Sequence, residues 1–124
     1  MSNELTGAKV LAKMLHDYGV TDIFHVPAVL RTTMAELETI SNIRRIHAHG
    51  EASAAYMADG YARASGRPGV CAAQIIGALN LAAGLRDAWL AKSPVIALTG
   101  GRAQAPKYRT AYQEGNDIPA FEPV

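Results

Sequence analysis

The sequence predicts an α/β fold, an open doubly wound parallel sheet with helices on both faces. Two observations carry that prediction. Helical patterns and short apolar runs alternate four times along the chain. The runs read as continuous and not as alternating at every second residue, the pattern of a parallel sheet covered on both faces. With 124 residues, 49% of them hydrophobic, the chain has enough apolar material for one buried core.

Each element can be justified in turn. Between Thr6 and Tyr18, Val10, Leu11, Met14 and Leu15 recur at helical spacing opposite Lys9, Lys13 and Asp17, and Gly19 supplies the stop. Ile23-Phe24-His25-Val26 is too short for a helix and is closed by Pro27, so it reads as the first strand. Thr32 or Thr33 can cap a second helix whose apolar positions are Met34, Leu37 and Ile40, and Ile43 to Ala48 follows as the second strand. The alanine-rich stretch from Glu51 to Ala64 is the third helix, closed by Gly66, and Gly69 to Ala73 the third strand. Asn80 to Ala91, carrying Leu81, Leu85, Ala88 and Trp89, is the fourth helix, and Pro94 to Leu98 the fourth strand. From about residue 102, Pro106, Gly115, Pro119 and Pro123 punctuate a stretch with no period, which reads as irregular.

Charge and cysteine usage narrow the function classes. Twelve basic and eleven acidic residues give +1 with no basic cluster, so neither nucleic acid nor an anionic membrane is an expected partner. No apolar run is long enough to span a bilayer. Cys71 is alone and cannot staple the fold, and Met1-Ser2-Asn3-Glu4 lacks a signal-peptide pattern, so a cytoplasmic location is expected. His16, His25, His47 and His49 do not fall at a metal-ligand spacing, and no metal is expected on this chain. Asp59 and Arg63 are one helical turn apart and can pair structurally. Cys71, inside a strand, reads as an inert core thiol.

Glu51 is the residue that asks for an explanation. It is a single acid at the start of the small, apolar run Gly50-Glu51-Ala52-Ser53-Ala54-Ala55. Burying a charge costs several kcal/mol unless something hydrogen-bonds it, so such an acid either stabilises the helix dipole, by up to about 1 kcal/mol, or awaits a ligand. In an open α/β sheet the ligand crevice lies outside the carboxyl ends of the strands. His49-Gly50-Glu51 sits at that edge.

Glu51 followed by Asp59-Gly60-Tyr61-Ala62-Arg63 resembles the pyrimidine-binding, N-terminal domain of thiamine diphosphate-dependent enzymes, in particular the acetolactate synthase-like group. Further blocks extend the likeness in order across nearly the whole chain: Gly19 to Pro27, Gly66 to Val70, Gly77-Ala78-Leu79-Asn80-Leu81, Gly84 to Ala88, Ser93 to Gly100 and Tyr112-Gln113-Glu114. By matching position, the resemblance makes Glu51 the helix-start glutamate that hydrogen-bonds N1′ of the aminopyrimidine and so promotes loss of the thiazolium C2 proton. A poorly solvated pocket is the expected setting, since it favours a carboxyl group that keeps its proton. The resemblance further places Pro27, Gly77 and Asn80 at the cofactor, against ordinary roles as strand end, turn and helix cap. It places Gln113 at the active-site mouth, toward substrate.

The chain also departs from that pattern. Gly50 stands where many members have histidine, Ala28-Val29 where they have a glycine pair, and Gln74-Ile75-Ile76-Gly77 where they have a tight polar turn. The diphosphate-binding domain that holds Mg²⁺ and the diphosphate is absent from residues 1–124, which read as a single pyrimidine-binding domain. The resemblance therefore implies a partner domain or subunit in a homo- or hetero-oligomer, dimer or tetramer, acting on a 2-oxo acid by decarboxylation or carboligation. Two architectures follow, one subunit of a two-chain enzyme or a piece of a longer protein, and the ending at Phe121-Glu122-Pro123-Val124 favours the second. A non-catalytic interaction domain derived from the same fold is the alternative, raised by the altered Gln74 to Gly77 stretch. Dinucleotide binding is disfavoured because no Gly-x-Gly-x-x-Gly follows the first strand.

Overall fold

The computed structural model describes residues 5–101 and 118–124. Four helix-strand units follow one another: α1 (Gly7–Asp17) and β1 (Asp22–His25), α2 (Arg31–Ile40) and β2 (Arg44–His47), α3 (Glu51–Ser65) and β3 (Gly69–Ala73), α4 (Ile75–Leu90) and β4 (Val95–Thr99). The strands form one all-parallel sheet in the order β2-β1-β3-β4. This is the predicted fold class. Parallel neighbours cannot be joined by a hairpin, so each connection must cross a face of the sheet, and α2, α3 and α4 are those crossings.

Alternate residues of the central strands sort the core into two layers. Ile23 of β1 with Val70 and Ala72 of β3 pack under α1 and α2, through Ala12, Leu15, Met34 and Leu37. Phe24, Cys71 and Ala73 point the other way, against Ala54, Ala55 and Ala58 of α3 and Leu81 of α4. The chain therefore leaves β1 toward one face and β3 toward the other. The strand order reverses between these two strands, which makes their carboxyl ends the topological switch point of the sheet.

The small residues of α3 have a packing reason. At Gly84 of α4, an added Cβ would lie 2.6 Å from Ala55 Cβ and 3.0 Å from the Ala52 carbonyl oxygen. Two helix backbones approach that closely only where neither brings bulk to the crossing. Helix ends follow simple chemistry where the sequence provides it. Thr6 Oγ1 accepts from the Lys9 backbone N–H at 3.3 Å to cap α1, and Gly66, in the left-handed region at φ 68°, ends α3.

Three local expectations are corrected. α2 begins at Arg31 with Leu30 at its N-cap (φ 43°) and no side-chain cap bond. Neither Thr32 nor Thr33 caps it, because the helix has already begun and Thr33 is drawn into the core. α4 begins at Ile75, upstream of the expected Asn80, after Gln74 as an extended N-cap without a side-chain cap bond. The third difference is at the two edge strands: β2 is half-buried to exposed, with Arg44 and His47 turned to solvent, and so is β4. Leu11, Met14 and Tyr18 of α1 stand across an open apolar groove of about 670 Å³ from Ile96 and Leu98 of that strand. Within the stretch expected to be irregular, Ile118–Phe121 forms a short 3-10 helix.

Candidate functional site

Three of the residues singled out in the sequence meet at the switch-point edge. Glu51 is the first residue of α3, half-buried, after Gly50 in extended backbone. Gly77 lies in the first turn of α4 and is buried. Asn80 follows on α4 with an exposed side chain, and its Nδ2 donates to Glu51 Oε2 at 3.1 Å. On the other side, a Cβ at Gly77 would lie 2.6 Å from Glu51 Oε1, 2.8 Å from its Cγ and 2.9 Å from its Cδ. The Glu51 side chain thus fills the space that a side chain at position 77 would need. Sequence spacing gave no sign of this mutual contact, because it depends on where α4 begins.

The carboxylate is placed by two helices at once. As the acid on the first turn of α3 it lies at the positive end of that helix, a contribution of roughly 1 kcal/mol or less. The bond from Asn80 then ties it to α4. Burial here is partial, so one side of Glu51 remains open to solvent. The isoleucines at 75 and 76, which depart from a tight polar turn, enter α4 as its first two residues and leave Gly77 against Glu51.

Pro27 lies at the same edge, exposed in the turn after β1. That turn carries backbone strain: Ala28 has φ 81° and Leu30 φ 43°, a region that glycine adopts freely and other residues rarely do. Gln113 falls outside the described residues. Asp59 and Arg63 form a two-bonded pair, Arg63 Nε to Asp59 Oδ1 at 2.9 Å and Nη2 to Oδ2 at 2.7 Å. The guanidinium holds the Asp59 carboxyl below its usual range. This pair is a structural lock near the C-terminal end of α3.

Two further groups are buried in the sheet. His25, at the end of β1, packs edge-on against His47 of β2 with ring centroids 4.7 Å apart, and burial lowers its pKa. Burial pushes the Cys71 thiol up to about 12. Among the described residues no helix is long and apolar enough to cross a membrane.

Over residues 5–120 the sequence matches the family model of the thiamine pyrophosphate enzyme, N-terminal TPP binding domain. The chain belongs to that family. Among its relatives, acetolactate synthase 2 of Nicotiana tabacum is 39% identical over 118 residues, covering 94% of this chain and 17% of that protein. The probable acetolactate synthase large subunit of Methanocaldococcus jannaschii is 36% identical over 121 residues, 97% of this chain and 20% of that protein. Acetolactate synthase of Arabidopsis thaliana is 36% identical over 118 residues, 94% and 17%. The chain therefore spans about a fifth of the length of these relatives. As an N-terminal TPP-binding domain, it carries an acid at the sheet edge where such folds bind ligands.

Proposed function

We propose that this chain is the aminopyrimidine-binding part of a thiamine diphosphate enzyme that makes or breaks a carbon–carbon bond beside the carbonyl of a 2-oxo acid, as part of a lyase or transferase. The observation that carries the reading is the Glu51 cluster: an acid on the first turn of α3, with one oxygen tied to Asn80 and its flank against Gly77. The donor set fits the group. An aminopyrimidine presents an acceptor ring nitrogen, and a half-buried carboxyl group is suited to share a proton with it. The acetolactate synthase relatives support the 2-oxo-acid class.

When bound, thiamine diphosphate supplies a carbon nucleophile and an electron sink. Glu51 holds the proton at N1′ and releases it as the ring's electronic demand changes. By family resemblance, Pro27, Gly77 and Asn80 would belong to the cofactor side of the site, and Gln113 to its substrate side. A diphosphate-binding domain or subunit holds the diphosphate and Mg²⁺, so the working unit is an assembly of at least two domains. Tyr56 and Met57 on α3 and Ile76 and Leu79 on α4 support a covering partner, because they expose large apolar side chains on the two helices that carry the site.

The test is turnover. The chain is combined with a candidate diphosphate-domain partner, thiamine diphosphate and Mg²⁺, and 2-oxo-acid consumption is measured for the wild type and Glu51→Gln. Loss of turnover in the variant is expected; unchanged turnover would remove the role assigned to Glu51. A protein that only mediates contacts would give no turnover with any partner and no protection by the cofactor.

A further inference from the structure

Asn80 is the only polar side chain between Ile75 and Leu85. Asparagine is a poor residue inside a helix, because its amide competes for backbone groups. Its place in α4 therefore needs a return, and the structure gives one: Nδ2 is 3.1 Å from Glu51 Oε2, across from a different helix. Gly77 closes on Oε1, Cγ and Cδ from the other side. Resting on the functional reading above, we infer that Asn80 is a positioning residue that acts through Glu51, not a group that recognises the aminopyrimidine itself.

A glutamate side chain on a first helical turn has several rotamers, and fixing it costs conformational entropy that a tether can supply before the ligand arrives. One ring nitrogen engages one carboxyl oxygen, which leaves the second oxygen to be covered when a ring and a partner close over the site. A covered oxygen needs a donor. Asn80 is that donor, and being neutral it satisfies the oxygen without adding a second charge to the site.

Two readouts on the full chain test this. The first needs no ligand: NMR couplings across the Glu51 Cα–Cβ bond should report one fixed rotamer in the wild type and averaging in Asn80→Ala. Averaged couplings already in the wild type would overturn the proposal. The second is a double-mutant cycle on binding of 4-amino-5-hydroxymethyl-2-methylpyrimidine, followed by chemical-shift titration. Asn80→Ala should weaken binding about tenfold, the value of roughly one hydrogen bond, and should have no effect in a Glu51→Ala background. A tenfold loss that persists without Glu51 would mean that Asn80 touches the ring, which overturns the inference and leaves the functional reading standing. No effect of Glu51→Ala on binding, or no binding by the wild type, would overturn the functional reading and the inference with it. Circular dichroism on each variant separates these results from misfolding.

Discussion

Replacing Gly77 with alanine should separate function from stability. The added methyl would start 2.6 Å from Glu51 Oε1 and under 3.0 Å from two carbons of the same side chain. Reaching an ordinary contact of about 3.4 Å requires a shift of about 0.8 Å. The backbone of α4 is held by the sheet, so the side chain of Glu51, which can rotate, is the group that moves. Its bond to Asn80 is 3.1 Å long, and a displacement of that size takes it past hydrogen-bonding range. Stability changes little, because alanine gains up to about 1 kcal/mol of helix propensity over glycine while the clash is relieved at a flexible end. Catalytic geometry is less forgiving, since a misplacement of about 1 Å can cost on the order of 100-fold in rate. Urea denaturation should therefore place Gly77→Ala within about 1 kcal/mol of the wild type, and 2-oxo-acid turnover with the partner should fall by on the order of 100-fold. Unchanged turnover, or a chain that no longer folds, would show that Glu51 does not yield to the added methyl in this way.

Three further outcomes follow from the packing and burial. Gly84→Ala meets the Ala52 carbonyl oxygen and the Tyr56 backbone nitrogen at 3.0 and 3.1 Å, and Ala55 Cβ at 2.6 Å. Its α3–α4 crossing cannot yield locally, so a loss of about 1–3 kcal/mol is expected in the same denaturation assay, and a variant as stable as the wild type would contradict the close crossing. Cys71, buried with its thiol pushed up to about 12, should resist thiol reagents at pH 8 in the folded chain and react fully in urea; rapid labelling of the native chain would contradict its burial. His25, whose pKa is lowered by burial, stays neutral in the folded state while the unfolded chain gains a proton, so stability should fall as pH drops below about 6.5. His25→Phe should flatten that acid limb, and an unchanged slope would assign the effect elsewhere.

Much of this could be read from the chain before its structure. The strands were legible because short, mainly apolar runs such as Ile23 to Val26 show no alternation and are too short for a helix, and at β1 the run is indeed buried on both faces. Glu51 was legible for the opposite reason, as a charge among alanines at a helix start. Helix starts were less so. Thr32 and Thr33 have capping chemistry, but the path of the turn through Leu30 started α2 earlier. Gln74 and two isoleucines gave no cap signal, and α4 begins at Ile75 without a side-chain cap. The bond from Asn80 to Glu51 depended on that start and could not be seen from spacing. β4 was apolar enough to be read as covered, but coverage is set by the elements that flank a strand and is not written in the strand itself.

Whether Glu51 meets N1′ of the cofactor can be seen in a crystal structure of the chain with its diphosphate-domain partner, thiamine diphosphate and Mg²⁺. A Glu51 carboxyl oxygen roughly 2.6–3.2 Å from N1′ is expected, with Asn80 still donating to the other oxygen. An aminopyrimidine bound elsewhere, or a Glu51 side chain turned away from it, would rule out Glu51 as the partner of N1′.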